Sequence, residues 1–209
     1  MVRIIGFTCI LLLVSGIANA EKNIAATVDD IKPLLNGQYV PNVQTTTSNG
    51  VKRPLHSIVN KQKTILFFYR GGWCPFCNTQ MGQLKAIEGK LSALGYQLIG
   101  VSTDSVEMLN ESTKDKSLNY QLISDFESKI SQAFGLAYFT SAKTTERYLA
   151  AMDLKNPLQQ NASGETRLVL PAPAIYVINE AGLVTFSYVN TNYKVRLDEQ
   201  VLLSVAEHM

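Results

Sequence analysis

Three features of the sequence predict an α/β domain with a mixed central sheet flanked by helices. Thr64-Ile65-Leu66-Phe67-Phe68-Tyr69 is a near-continuous apolar run, the pattern of a strand covered on both faces. A helical pattern and a second apolar run, Tyr96-Gln97-Leu98-Ile99-Gly100-Val101-Ser102, follow it, and a strand, helix, strand unit makes its two strands parallel through a right-handed crossover. Later, Ala174-Ile175-Tyr176-Val177-Ile178, the turn Asn179-Glu180-Ala181-Gly182 and residues 183–189 form a hairpin, which adds antiparallel strands.

The first residues stand outside that fold. Arg3 precedes the apolar residues 4–17, and Ala18-Asn19-Ala20 has the small-x-small form of a cleavage site, so residues 1–20 are expected to be a removable signal peptide. The domain then covers residues 21–209, starting at Glu21. A spanning helix needs about 20 apolar residues, more than this run supplies, and no later segment reaches that length. The expected destination is the periplasm in a Gram-negative organism and the extracellular space otherwise, with no membrane attachment after cleavage and with conditions in which disulfides persist.

Residues 37–59 contain Pro41, three consecutive threonines and the turn Ser48-Asn49-Gly50, and read as a short hairpin or extended arm ahead of the core. Gly71-Gly72 ends the first buried strand. From Pro75 onward Met81, Leu84, Ile87, Leu91 and Leu94 recur in steps of three and four, which predicts a helix ending before Gly95. Asp104 and Ser105 can cap the helix after the second strand. Residues 119–124 suggest a third strand, 127–134 a short helix, and 144–152 a helix with Tyr148, Leu149 and Met152 on one face. Residues 155–166 are polar and turn-rich and read as a loop, and 198–207 read as a closing helix.

Composition narrows the function classes. With 209 residues, 46% hydrophobic and 17% charged, the chain can bury one globular core, which excludes disorder or a coiled coil as the main architecture. The net charge of +2 comes from scattered basic residues, so nucleic acid is not an expected partner. Three cysteines and two histidines are too few for a disulfide-stapled scaffold and badly spaced for a zinc site, and neither metal nor cofactor is predicted. His56 and His208 read as surface or packing residues. Cys9 leaves with the signal, so Cys74 and Cys77 remain as one dithiol.

Trp73-Cys74-Pro75-Phe76-Cys77 follows a buried strand and opens a helix. Pro75 suits the first helical position, which puts Cys74 at the N-cap and Cys77 in the first turn. The free N–H groups and the positive end of the helix dipole stabilise a thiolate there, and the thiolate is the nucleophilic form. Cys74 is expected to be the more accessible sulfur, with Cys77 placed to resolve a mixed disulfide. A purely structural bridge closing so small a loop would remove little unfolded-state entropy.

These residues resemble the thioredoxin superfamily: a strand, Trp-Cys-x-x-Cys, a helix, and later a proline opening Pro173-Ala174-Ile175-Tyr176-Val177-Ile178. The longer pattern is similar to the peroxiredoxin-like branch, the alkyl hydroperoxide reductase/thiol-specific antioxidant family. It runs from Phe68-Tyr69-Arg70-Gly71-Gly72-Trp73 through the cysteines, then Leu170-Pro171-Ala172-Pro173, then Tyr188-Val189 to Tyr193 and Arg196. The resemblance implies a thioredoxin-like fold and a redox-active centre. It also implies that Pro173 is a cis proline against the active sulfur, that Ala172 offers an edge to an extended partner, and that Trp73 is an apolar platform beside the thiol.

Two departures stand out. Typical peroxiredoxins carry Pro-x-x-x-Thr-x-x-Cys, and an ungapped match puts Arg70 at the Pro, Cys74 at the Thr and Cys77 at the peroxide-attacking Cys, while the arginine of the later strand falls at Pro173. Arg70 is then either a cation beside the thiolate or a solvated strand-end residue. The buried acid of thioredoxin falls at Phe68, so an acid would have to come from elsewhere or be replaced by water.

The resemblance and the dithiol together imply an exported antioxidant thiol oxidoreductase. It would reduce hydroperoxides through a Cys74/Cys77 dithiol-disulfide cycle and be recharged by an external thioredoxin-like reductant. Helix geometry favours Cys74 as the attacking residue and the peroxiredoxin match favours Cys77. The alternatives are a thiol-disulfide oxidoreductase acting on protein disulfides and a non-enzymatic copper chaperone, since two thiolates suit Cu(I).

Overall fold

The computed structural model describes residues 23–152 and 154–209; the expected signal segment, residues 1–20, lies outside them. A seven-stranded mixed sheet organises the chain. Its members are β1 (Gln44–Thr47), β2 (Lys52–Pro54), β3 (Lys63–Phe68), β4 (Tyr96–Ser102), β5 (Gln121–Ser124), β10 (Ala174–Ile178) and β11 (Val184–Val189). Their spatial order is β11-β10-β3-β4-β5-β1-β2. β3, β4 and β5 are parallel, and β10 pairs antiparallel with β3, placing Ala174 opposite Phe68 and Ile178 opposite Thr64. The predicted terminal hairpin thus closes onto the central strand. The 37–59 segment is more than an arm, because β1 pairs with β5 and extends the same sheet.

The apolar run at β3 is buried on both sides because its residues alternate between two cores. Ile65, Phe67 and Tyr69 pack with Met81, Leu84, Ile87 and Leu91 of helix α2 (Pro75–Ala93) and with Leu202 of helix α6 (Glu199–His208). Leu66 and Phe68 face the opposite side, with Leu55, Ile130, Phe134 and Tyr176. That second side is covered by the short helices α1 (His56–Val59) and α4 (Lys129–Ala133). Helix α3 (Val106–Lys116) is capped by Ser105, whose hydroxyl accepts from the Met108 N–H. Asp104 does not share in that cap and turns inward.

Several elements depart from the predicted pattern. The expected loop at 155–166 contains the two-residue strands β7 (Gln159–Gln160) and β8 (Thr166–Arg167) as a small hairpin. A further pair, β6 (Ala137–Phe139) with β9 (Val169–Pro171), has no local signal in the sequence and forms a separate two-stranded sheet. Helix α5 spans Ala142–Met152, starting ahead of the expected Thr144. Asp198 caps α6 by accepting from the N–H groups of Gln200 and Val201. No helix among the described residues is long and apolar enough to cross a membrane.

Candidate active site

The dithiol lies where β3 gives way to α2. Gly71 has φ +153°, a conformation few other residues adopt, and the Cys74 N–H donates back to the Gly71 carbonyl at 3.1 Å. Pro75 occupies the first helical turn and Cys74 is the N-cap with an extended backbone, as the spacing predicts. Neither sulfur is open to solvent, since Cys74 is 1% and Cys77 0% exposed. The expected accessibility of Cys74 takes another form. Cys74 lines a cavity of about 310 Å³ walled by Trp73, Phe76, Tyr148, Met152 and Tyr193, and Cys77 does not.

Burial and polar partners set the two thiols apart. Cys74 is lowered to about 6, chiefly because the Cys77 thiol hydrogen-bonds its sulfur; burial opposes this, and the Cys77 backbone N–H and the charges of Arg70 and Arg196 assist. Cys77 is pushed well above the ordinary thiol range, first by burial and then by its neighbour Cys74. At neutral pH the pair therefore holds one thiolate, on Cys74, and one proton, on Cys77. The sequence leaves the choice of nucleophile open, and these electrostatics favour Cys74.

Arg70 is not a solvated strand-end residue. It is 2% exposed and donates through Nη2 to the Tyr148 hydroxyl. Its guanidinium carbon lies 4.1 Å from the Tyr193 ring centroid, 4.9 Å from that of Tyr148 and 5.0 Å from that of Trp73. This aromatic cage holds the charge close enough to stabilise the Cys74 thiolate. Trp73 is thus both a wall of the thiol cavity and a face for Arg70.

A second guanidinium arrives from the loop before α6: Arg196 Nη2 donates to Cys77 Sγ at 3.3 Å. Tyr193 and Arg196 lie in the quoted family pattern, but nothing in the sequence assigned them a role, and Tyr148 read only as one face of a helix. A cation fixed at the dithiol is therefore supplied here by Arg70 and Arg196 rather than by the later strand.

Pro173 is not the cis proline that the resemblance implies. No cis peptide bond occurs among the described residues, so Pro173 is trans and serves as the entry to β10, its carbonyl accepting from the Asn190 N–H. The expected edge at Ala172 is also closed. Its N–H donates to the Leu136 carbonyl and the residue is fully buried, because the unanticipated β6–β9 pair covers it.

The buried acid nearest the turn before Cys74 that the structure describes is Asp104. Its Oδ2 accepts from the Gly72 N–H at 2.8 Å and the Ser102 hydroxyl at 3.0 Å, which ties the end of β4 to the turn before Cys74. Burial raises it to about 6 against the pull of those two donors. Asp104 Oδ1 and Trp73 Nε1 are both buried without a hydrogen-bond partner among the described residues, and both crowd Gly71, where an added Cβ would meet them at 2.7 and 2.2 Å. Both histidines are engaged elsewhere: His56 Nε2 pairs with the Val40 carbonyl and His208 Nδ1 with the Ser204 carbonyl. Among the described residues no group of three His, Cys, Asp or Glu could hold a metal ion.

Comparison with known proteins matches residues 36–187 to the AhpC/TSA family. A 1-Cys peroxiredoxin of Medicago truncatula is 23% identical over 159 residues, covering 73% of this chain and 62% of that protein. A putative peroxiredoxin, bcp, of Haemophilus influenzae is 28% identical over 101 residues, covering 43% of this chain and 65% of that protein. The matches thus span just under two thirds of these relatives' own length. Among solved structures, reduced Prx3 of Vibrio vulnificus in complex with H2O2 has a TM-score of 0.66 at 17% identity, covering 84% of this chain and 97% of that one, a likeness of fold.

Proposed function

The chain belongs to the AhpC/TSA family, with the thioredoxin-like fold of peroxiredoxins, and we propose that within it Cys74 and Cys77 run a thiol-peroxidase cycle. The observation that carries this reading is the split of the dithiol into a low-pKa sulfur facing a cavity and a protonated sulfur one turn along the helix. The Cys74 thiolate attacks the terminal oxygen of a hydroperoxide. The O–O bond breaks, sulfur is oxidised to a sulfenic acid, and the departing oxygen takes a proton and leaves as alcohol or water. The Cys77 thiol then condenses with the sulfenic acid, water leaves, and the Cys74–Cys77 disulfide is returned to the dithiol by an external thioredoxin-like reductant.

Action on protein disulfides is a poorer fit. A protein-borne disulfide would have to reach a sulfur that is 1% exposed inside a small cavity, and the Ala172 edge is already paired. Export is part of the proposal and rests on residues 1–20 alone. Stopped-flow reaction of the reduced protein with hydrogen peroxide tests the cycle. Wild type is expected to react far faster than a free thiol, Cys77→Ser to stop after one turnover with a dimedone-trappable sulfenic acid on Cys74, and Cys74→Ser not to react. Reaction of every form at the free-thiol rate, or dimedone on Cys77 instead, would contradict it.

A further inference from the structure

Beside the thiol cavity lies a second cavity of about 430 Å³, and the two share Arg70, Arg147, Tyr148 and Tyr193 in their walls. Their chemistry differs. The cavity at Cys74 is walled by Trp73, Phe76, Ala151 and Met152, whereas the second carries Arg70, Arg147 and Arg167 together with Ser141 and Thr144 from the start of α5. Its one carboxylate among the described residues, Glu165, is already engaged by Arg167 at 2.7 Å and by the Asn161 side chain at 2.9 Å. Arg70 and Arg147 have no carboxylate partner among the described residues. Ser141 caps α5 by accepting the Thr144 N–H at 3.2 Å, and the other first-turn N–H groups add the positive end of the helix dipole. The buried charge of Arg70, the guanidinium of Arg147, that of Arg167 beside its Glu165 partner and a helix N-terminus all border one chamber, an environment that favours an anion.

We propose that this chamber is a carboxylate-binding subsite, so that the preferred substrate of the peroxidase is an organic hydroperoxide bearing a carboxylate. The inference rests on the thiol-peroxidase reading and goes beyond it by naming the substrate class. The carboxylate sits at Arg147 and Arg167, within the field of the buried Arg70 charge, the apolar body lies along Trp73, Phe76 and Met152, and the peroxide meets Cys74. The chemical step is the one given above: S–O forms, O–O breaks, and the hydroxy acid leaves after its alkoxide takes a proton. Hydrogen peroxide has nothing to place in the basic chamber.

The test is single-turnover sulfenic acid formation, with no reductant present, followed by the fluorescence of the single tryptophan. Hydroperoxyhexanoate and hydroperoxydecanoate are compared at pH 7 with their methyl esters, at concentrations below saturation. Wild type is expected to react about tenfold faster with at least one acid than with its ester, and Arg147→Gln and Arg167→Gln to bring that acid-to-ester ratio towards one. Equal rates for acid and ester in wild type, or a ratio that neither substitution moves, would overturn the subsite. If hydrogen peroxide and all four organic hydroperoxides react at the free-thiol rate, the peroxidase reading itself fails and the subsite falls with it.

Discussion

Arg196 donates from Nη2 to Cys77 Sγ at 3.3 Å, joining residues 119 positions apart, while its Nε and Nη1 are buried without partners among the described residues. The contact puts a cation against the thiol that burial holds protonated. In the proposed cycle Arg196 would assist the second half, in which Cys77 acts as nucleophile. Arg196→Gln should slow conversion of the Cys74 sulfenic acid to the disulfide by roughly tenfold, as expected for losing one close opposite charge. Its effect on the first, peroxide-dependent phase should be smaller. Two-phase stopped-flow traces separate these rates; equal slowing of both phases would contradict the assignment.

Arg70 acts on the other sulfur. Replacing it with Met removes a guanidinium that lowers Cys74 and leaves the Tyr148 hydroxyl and three ring faces without their cation. The Cys74 titration midpoint should rise by about one unit, with on the order of 2 kcal/mol lost from stability. Arg70→Lys should rescue the charge only in part, because an ammonium cannot stack between rings as a planar guanidinium does. Site-resolved alkylation across pH and urea unfolding measure the two effects.

Asp104 predicts a pH dependence of stability. Its folded-state value is raised from 3.8 to about 6, so between those values the folded chain holds a proton that the unfolded chain has released. The resulting stabilisation is fully present below about pH 4 and is lost as pH rises through about 6. Asp104→Asn keeps an acceptor for Gly72 and Ser102 but cannot ionise. Relative to wild type it should gain roughly 2 kcal/mol on going from pH 4 to pH 8 in urea titrations. A difference independent of pH would show that this carboxyl does not titrate as described.

Gly71 marks the closest approach in the site. At φ +153° an alanine is strained, and its Cβ would fall 2.2 Å from Trp73 Nε1 and 2.7 Å from Asp104 Oδ1. Gly71→Ala should cost on the order of 2 kcal/mol or more and shift the emission of the one tryptophan, since the indole has to move. Gly82→Ala, inside α2 with open space at its Cβ, is the control and should be neutral or stabilising.

The features legible in the sequence were those encoded locally. The two-sided burial of β3, the helical steps from Met81 to Leu91 and Pro75 at the helix start each follow from neighbouring residues, and each appears as read. Features that depend on distant packing were not legible. The β6–β9 pair joins residues about thirty positions apart, so no local pattern signalled it, and it closes the edge expected at Ala172. Pro173 appeared as a strand opener, but its peptide geometry is set by the surrounding fold. Asp104 resembles a helix cap because Ser105 follows it; its burial beneath the Gly71-Gly72 turn depends on a contact 32 residues back in the chain. Arg196 and Tyr193 were visible as residues of a pattern, and only the tertiary structure brings them to Cys77 and Arg70.

The proposed cycle depends on a division of labour between the two sulfurs, and site-resolved alkylation of the reduced wild-type protein checks it. With iodoacetamide across a pH series and each cysteine quantified by mass spectrometry, Cys74 should titrate with a midpoint of about 6, while Cys77 stays unmodified until well into the alkaline range. Alkylation of Cys77 ahead of Cys74, or a Cys74 midpoint at the ordinary thiol value, would contradict the assignment of Cys74 as the nucleophile.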